Sequence, residues 1–393
     1  MKIKSTTLKT HITPENNREF PLNINIKSSK ETKKIEVSTL KGHVETSKQL
    51  EKENIELSIK FRMETFPIYM DIDKRNSIND YPVPLKSENL IEILENKYNI
   101  EIQNYTEIKR ILEFTNYQKI QPFARIYQNQ KIEKVLNAYQ LDKFIREELI
   151  RLIAPIEIYS KNKLSNIILE KSSKLTKHKK YLAFYYQNYN KYLYKAPQIS
   201  IKKDGVTKYK NWMDKSVKAI NDYSQSDSYI QKTLIKYNGN IPIWILLDKI
   251  TFGTFSFFLT ILNSNVSLDF GNAIFGSNES KPDPKAIFSF MEAVVILRNT
   301  VSHCQNVITK DYKAIPLNLF PDIDKENKKN NSLYTYLLII KYLYSELGEE
   351  NKIKWNDFIN KIFEKINNDK IIEKAIGIPK TKDKNLLLEI NNN

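Results

Sequence analysis

The apolar residues change period once along this chain, and the change constrains the fold more than any other feature. Before residue 85 they alternate. Phe20, Leu22, Ile24 and Ile26 do so, as do Ile55, Leu57, Ile59 and Phe61, and residues 34–40 repeat the pattern. Period two marks strands with one buried face. Tyr81-Pro82-Val83-Pro84 closes the stretch, because proline lacks the N–H that both helix and ladder need. Beyond it the apolar residues recur at i, i+3 and i+4. The spacing predicts helices over residues 88–98 and 106–116, and a longest one over 130–169 carrying Ile132, Val135, Leu136, Tyr139, Phe144, Leu149, Leu152, Ile153 and Ile156, with Pro155 expected to kink it. Residues 244–262 read as one apolar helix or two broken near Gly253. A further helix opens at Asp283-Pro284, a cap followed by a proline at the first helical position, and is expected to run to about Ile308. Residues 333–347 and 355–366 complete the set before Gly377-Ile378-Pro379. The expectation is a mainly α protein: a small β-rich N-terminal module over residues 1–84 and a helical domain over 85–393.

Composition narrows the function. Lys and Arg number 62 against 46 Asp and Glu, a net charge of +16 that favours a polyanionic partner. The single cysteine, Cys304, excludes an internal disulfide and a cysteine-built zinc site, and four histidines leave little for a histidine-rich metal site. No metal and no cofactor is expected. The start of the chain lacks the apolar run of a signal peptide, and the longest apolar stretch is interrupted by Asp248 and Lys249, so a cytoplasmic protein that does not span a membrane is expected. Phosphate-binding glycine loops, HExxH, CxxC and GxSxG are all missing, and only eight glycines occur in the chain. Chemistry must come from side chains on helices.

The strongest candidate is Arg298-Asn299-Thr300-Val301-Ser302-His303. Only eight of the 62 basic residues are arginine, so each arginine is more apt to serve through its planar, five-donor guanidinium. Imidazole moves protons near neutral pH, and guanidinium offsets charge that builds on phosphate oxygens. Together, without metal ligands, they suit attack of an RNA 2′-hydroxyl on its neighbouring phosphate, where the substrate brings its own nucleophile. Asn299 stands four residues before His303, where its amide can orient the imidazole. Arg298 and His303 lie about 140° apart around an ideal helix, so a bend or a two-fold dimer is needed to aim both at one phosphorus. The alternative is an Arg–His pair with structural duties only, in a non-catalytic RNA-binding protein. Glu292 lies two turns before Asn299, Asp142 and Arg146 read as an i, i+4 pair on a helix surface, and Glu157 is expected near a kink.

A second feature is basic and aromatic. Residues 171–215 hold 12 lysines against Asp204 and Asp214. Lys171, Lys174, Lys177, Lys179, Lys180, Lys202, Lys203, Lys208 and Lys210 are candidates to track phosphates, and Tyr185 and Tyr186 to stack on bases, as single-stranded RNA is held. Tyr181, Tyr185, Tyr189 and Tyr192 also fall at helical spacing, which assigns some of these rings to a core.

Six segments, in order, resemble the Abi-like proteins, the abortive-infection family of the AbiD and AbiF type. They are Asn116-Tyr117 with residues 123–127; Tyr139-Gln140-Leu141-Asp142 through Arg146; Ile156-Glu157 with Lys161 where the family often has Arg; Pro242-Ile243-Trp244 followed by Thr251-Phe252-Gly253-Thr254; Leu297-Arg298-Asn299 with His303; and Ile376-Gly377-Ile378-Pro379. The resemblance implies a HEPN-like helical bundle and a phage-defence toxin that cleaves RNA without a metal. It further implies an Arg–His motif completed at the interface of a homodimer or larger assembly, and restraint by a small RNA as in related toxin–antitoxin systems. Ser302 stands where the family often has Ala, and residues 1–84 have no counterpart in it.

If the lysines of residues 171–215 neutralise phosphates, RNA affinity will fall with salt by about 0.7 log units per contact per tenfold change. Replacing Lys174, Lys177, Lys179 and Lys180 together is expected to flatten that slope in a binding titration; an unchanged slope places the basic surface elsewhere.

Overall fold

The computed structural model describes residues 3–9, 22–28, 32–37, 86–174, 178–190, 192–195, 205–276, 282–320, 330–380 and 388–390. The chain divides into two units, Met1–Pro84 and Leu85–Asn393. In the first, β1 (Ile3–Lys9), β2 (Leu22–Ser28) and β3 (Thr32–Val37) pair antiparallel in that order. The strand expected over residues 55–61, and with it most of the expected module, lies outside the described residues.

The second unit is mainly helical. It begins with α1 (Ser87–Tyr98), α2 (Tyr105–Phe114) and α3 (Tyr117–Ile126). Asn104 and Asn116 cap α2 and α3, their side-chain oxygens accepting backbone N–H groups of Glu107 and Gln118 that have no partner inside the first turn. The periodicity did not predict α3, because Pro122 sits inside it and removes one N–H from its ladder.

Helix α4 (Ile132–Ser173) is the spine, 42 residues and about 63 Å at 1.5 Å per residue. It continues through Pro155. Val135, Ile145, Leu149, Ile156 and Leu164 recur at helical spacing and are fully buried. Each such side chain contributes about 1.5–3 kcal/mol by leaving water. A 3-10 segment (Lys179–Gln187) and α5 (Gly205–Ser224) follow, then α6 (Ser228–Lys236), α7 (Ile243–Lys249), α8 (Phe252–Ile261) and α9 (Ser264–Phe275). The apolar stretch 244–262 is thus two helices. The chain breaks at Ile250, just before Gly253, and Thr251 caps α8 by accepting the N–H of Thr254. Among the described residues no helix is long and apolar enough to cross a membrane. Trp212 of α5 stacks on Phe258 of α8 with centroids 3.9 Å apart and planes 10° apart.

A 3-10 turn (Pro284–Ala286), with Asp283 capping the N–H of Lys285, leads into α10 (Ile287–Ser302). Then come α11 (Leu333–Tyr344), α12 (Glu349–Ile366) and α13 (Lys370–Ile376), which stops where Gly377 takes φ 88°. The spine packs against α3, α7, α9, α10, α11 and α12.

Where α9 passes under the turn before α10, Gly271 is the contact. A Cβ there would sit 2.2 Å from the carbonyl oxygen of Pro284, a backbone atom that cannot swing aside. Alanine ordinarily stabilises a helix interior by about 1 kcal/mol over glycine, but overpacking costs about 1–3 kcal/mol or more. Gly271→Ala is therefore expected to lower the melting temperature, the reverse of the usual outcome, in a thermal denaturation series.

Candidate active site

Helix α10 is apolar on the side facing the core, where Phe290, Met291, Val294, Leu297 and Val301 are buried. Its last turn exposes Arg298 and Asn299, and His303 is its exposed C-cap. The helix ends at Ser302, not near Ile308 as the sequence suggested. The reason is local. Cys304 adopts φ 51°, which closes the helix with a pair of bonds: Cys304 N–H donates to the carbonyl of Val301 at 3.0 Å and Gln305 N–H to that of Thr300 at 2.9 Å. The left-handed position usually belongs to glycine; here a cysteine holds it.

The six residues after the helix, 303–308, are then pinned from two sides. Asn306 donates its amide to the carbonyl of Lys119 in α3 at 2.9 Å. On the other side stands Asp142 of α4, fully buried. One carboxylate oxygen accepts the backbone N–H groups of Val307 at 2.8 Å and Ile308 at 2.9 Å. The other accepts Arg146 Nε at 2.9 Å. The pair read as a surface ion pair is thus interior, since Arg146 is also buried. Burial pushes the Asp142 carboxyl up, while the Ile308 N–H, the Arg146 guanidinium and the Val307 N–H pull against it. Removing one partner of such a buried pair costs about 3–5 kcal/mol.

Arg298 Nη1 donates to the Asn299 amide oxygen at 3.3 Å. Asn299 therefore orients the guanidinium, not the imidazole as its spacing suggested. Among the described residues Arg298 has no carboxylate partner, and the His303 imidazole has no hydrogen-bond partner. Glu292 is occupied elsewhere, with both oxygens on Lys313 Nζ at 2.6 and 2.7 Å. His303 is the C-cap residue, φ −90° and ψ 14°; this φ is within about 30° of the helical value, so its side chain stays roughly 140° around the axis from Arg298. Arg298 and His303 share one exposed end of α10.

The basic segment is more structural than its composition suggested. Tyr186 is a correction: only 2% exposed, it donates its hydroxyl to the carbonyl of Ile241 at 2.7 Å and cannot stack on a base. Tyr185 is half-buried against the core. The exposed rings are instead Tyr181 and Tyr192. Lys171 pairs with Asp269 and Lys174 with Glu170. Lys179 and Lys210 are exposed and Lys208 is half-buried. Lys177, Lys202 and Lys203, and the side chain of Lys180, lie outside the described residues. Lys161 is buried beside Glu157 at 2.7 Å, and it donates to the carbonyl of Ile250 at 2.9 Å, closing the end of α7. Next to it a depression of about 190 Å³ is lined by Ala154, Glu157, Ile158, Lys161, Asn162 and Asp248. Arg298, Asn299 and His303 do not line it, and a phosphodiester in a polymer needs an open face more than a cavity. Among the described residues no three His, Cys, Asp or Glu side chains gather as a metal-ligand group.

The geometry places an exposed arginine and histidine at the end of a buried helix, with a conformation fixed by a second helix 165 residues earlier in the chain. In comparison with known proteins, residues 94–309 fit the family described as Abi-like protein. No curated protein and no solved structure matches the chain. The matched span covers more than half of the sequence and includes α4, Asp142, Arg298, His303 and the pinned turn, and the chain belongs to the Abi-like protein family.

Proposed function

We propose that this abortive-infection protein is a phage-defence toxin that cleaves RNA without a metal, on a HEPN-like bundle preceded by a small β-rich module. The observation that carries this is the exposed end of α10, which bears both Arg298 and His303 on its surface, with neither ion-paired to a carboxylate among the described residues. In the proposed reaction a substrate 2′-hydroxyl attacks its own phosphorus as its proton passes to the imidazole of one His303. The bond to the 5′-oxygen breaks, and that oxygen takes a proton from a second imidazole or from water. Arg298, held by Asn299, offsets the charge that builds on the phosphoryl oxygens. The products are a 2′,3′-cyclic phosphate and a 5′-hydroxyl. A two-fold dimer through residues 295–306 supplies two copies of each residue to one cleft. A small RNA on the basic surface restrains the enzyme until infection.

Cleavage of a labelled single-stranded RNA is expected to survive EDTA and to leave those ends; strict Mg²⁺ dependence would sink the mechanism. Arg298→Lys is expected to lose about 100-fold or more in kcat, since a point charge cannot replace the two-pronged fork. Full activity in that variant would remove Arg298 from the phosphate. Mixing Arg298→Ala chains with His303→Ala chains is expected to give an activity different from the sum of the two homodimers. Additive behaviour, or full cleavage by a monomer in light scattering, rules out the shared cleft.

A further inference from the structure

We propose that Asp142 is a positioning residue for the Arg298–His303 end of α10, an inference that rests on the ribonuclease assignment above. The turn after the helix has no regular structure of its own, yet it must hold His303 in one place. Its N-terminal side is closed by the bonds from His303 to Asn299, Cys304 to Val301 and Gln305 to Thr300. On its C-terminal side two consecutive backbone N–H groups, those of Val307 and Ile308, have one acceptor among the described residues, a single oxygen of Asp142. Tyr312 secures the same point by donating its hydroxyl to the carbonyl of Val307 at 2.9 Å. Asp142 is itself fixed, because it is fully buried on the spine helix and its second oxygen is held by Arg146. The carboxylate thus converts the rigidity of α4 into the placement of an imidazole four residues upstream of Val307. It touches neither substrate nor reacting atoms.

Displacement of a reacting group by about 1 Å costs on the order of 100-fold in rate while leaving binding largely intact. The test uses the full chain and a fluorescent single-stranded RNA, with kcat and KM measured for the parent, Asp142→Ala, Asp142→Asn and His303→Ala at a temperature where near-ultraviolet circular dichroism shows each folded. A second readout does not depend on activity. Cys304 is the chain's single cysteine, exposed and inside the turn, so a nitroxide attached to it reports the turn's order by electron paramagnetic resonance. Asp142→Ala is expected to lower kcat about 100-fold with KM within about threefold, and to mobilise the nitroxide. Asp142→Asn keeps an amide oxygen for Val307 and Ile308, although it turns an N–H₂ toward Arg146. It is expected to melt lower yet to recover kcat within about threefold and an immobile label. A folded Asp142→Ala that retains the parent's kcat, or whose label stays immobile, overturns the proposal. Absent cleavage by the parent, or equal cleavage by His303→Ala, defeats the ribonuclease assignment instead, and the nitroxide lineshape still decides whether Asp142 orders the turn. Should Asp142→Ala not fold, amide hydrogen exchange on the parent decides: the Val307 and Ile308 amides are expected to exchange only on global unfolding, and exchange at loop rates overturns the proposal.

Discussion

One helix organises the helical unit. The apolar face of α4 is the surface on which α3, α7, α9, α10, α11 and α12 find their burial. A rod of this length cannot fold by itself into anything compact; it supplies a ridge, and the later helices gain stability only by laying their own apolar faces along it. The polar groups buried on the same rod then determine where particular loops attach. Lys161 closes the end of α7 through the carbonyl of Ile250, and Asp142 holds the turn behind α10. Buried charges of this kind are poor sources of net stability, because desolvation offsets much of their attraction. Their effect is on which arrangement is adopted.

Much of this was legible in the sequence, because the apolar period of the long helices is set by contact with a core and survives any change of surface residues. The spine, α1, α10's start at Asp283-Pro284, and α11 and α12 follow from it, whereas the short α13 does not. What was not legible depended on partners distant in the chain. The i, i+4 spacing of Asp142 and Arg146 is the same whether the pair faces water or the interior, and only Val307 and Ile308 decide between the two. The end of α10 was misplaced for a related reason: Cys304, Val307 and Ile308 fall at helical spacing, but Cys304 takes φ 51° and the backbone donors of Val307 and Ile308 are taken by a carboxylate from another helix. Asn299 was assigned to His303 by spacing, whereas its side-chain oxygen points to its own neighbour, Arg298.

The aromatic and basic residues show the same ambiguity. A run of tyrosines among lysines describes both a nucleic-acid surface and a ring-filled core, since both need flat, large side chains. Tyr186, Tyr194 and Tyr209 went to the core, where burial raises each hydroxyl well above its ordinary range. The lysines nearest the spine found carboxylates on it or on α9. Charge clustering in a sequence therefore bounds the number of cations available to a ligand from above, because each internal ion pair removes one.

The place of the candidate site on α10 has an electrical consequence. Phosphates usually settle at the amino end of a helix, where free N–H groups and the aligned peptide dipoles attract anions. Arg298, Asn299 and His303 stand at the opposite pole, where the dipoles present their negative end. A polyanion arriving there gains nothing from the backbone; the Schellman bonds occupy carbonyls of the last turn without reversing the sign of the field. All of the attraction must come from side chains: the guanidinium at position 298 on the last turn, and the ammonium of Lys310, which donates to the Gln305 side chain at 2.9 Å within the same turn.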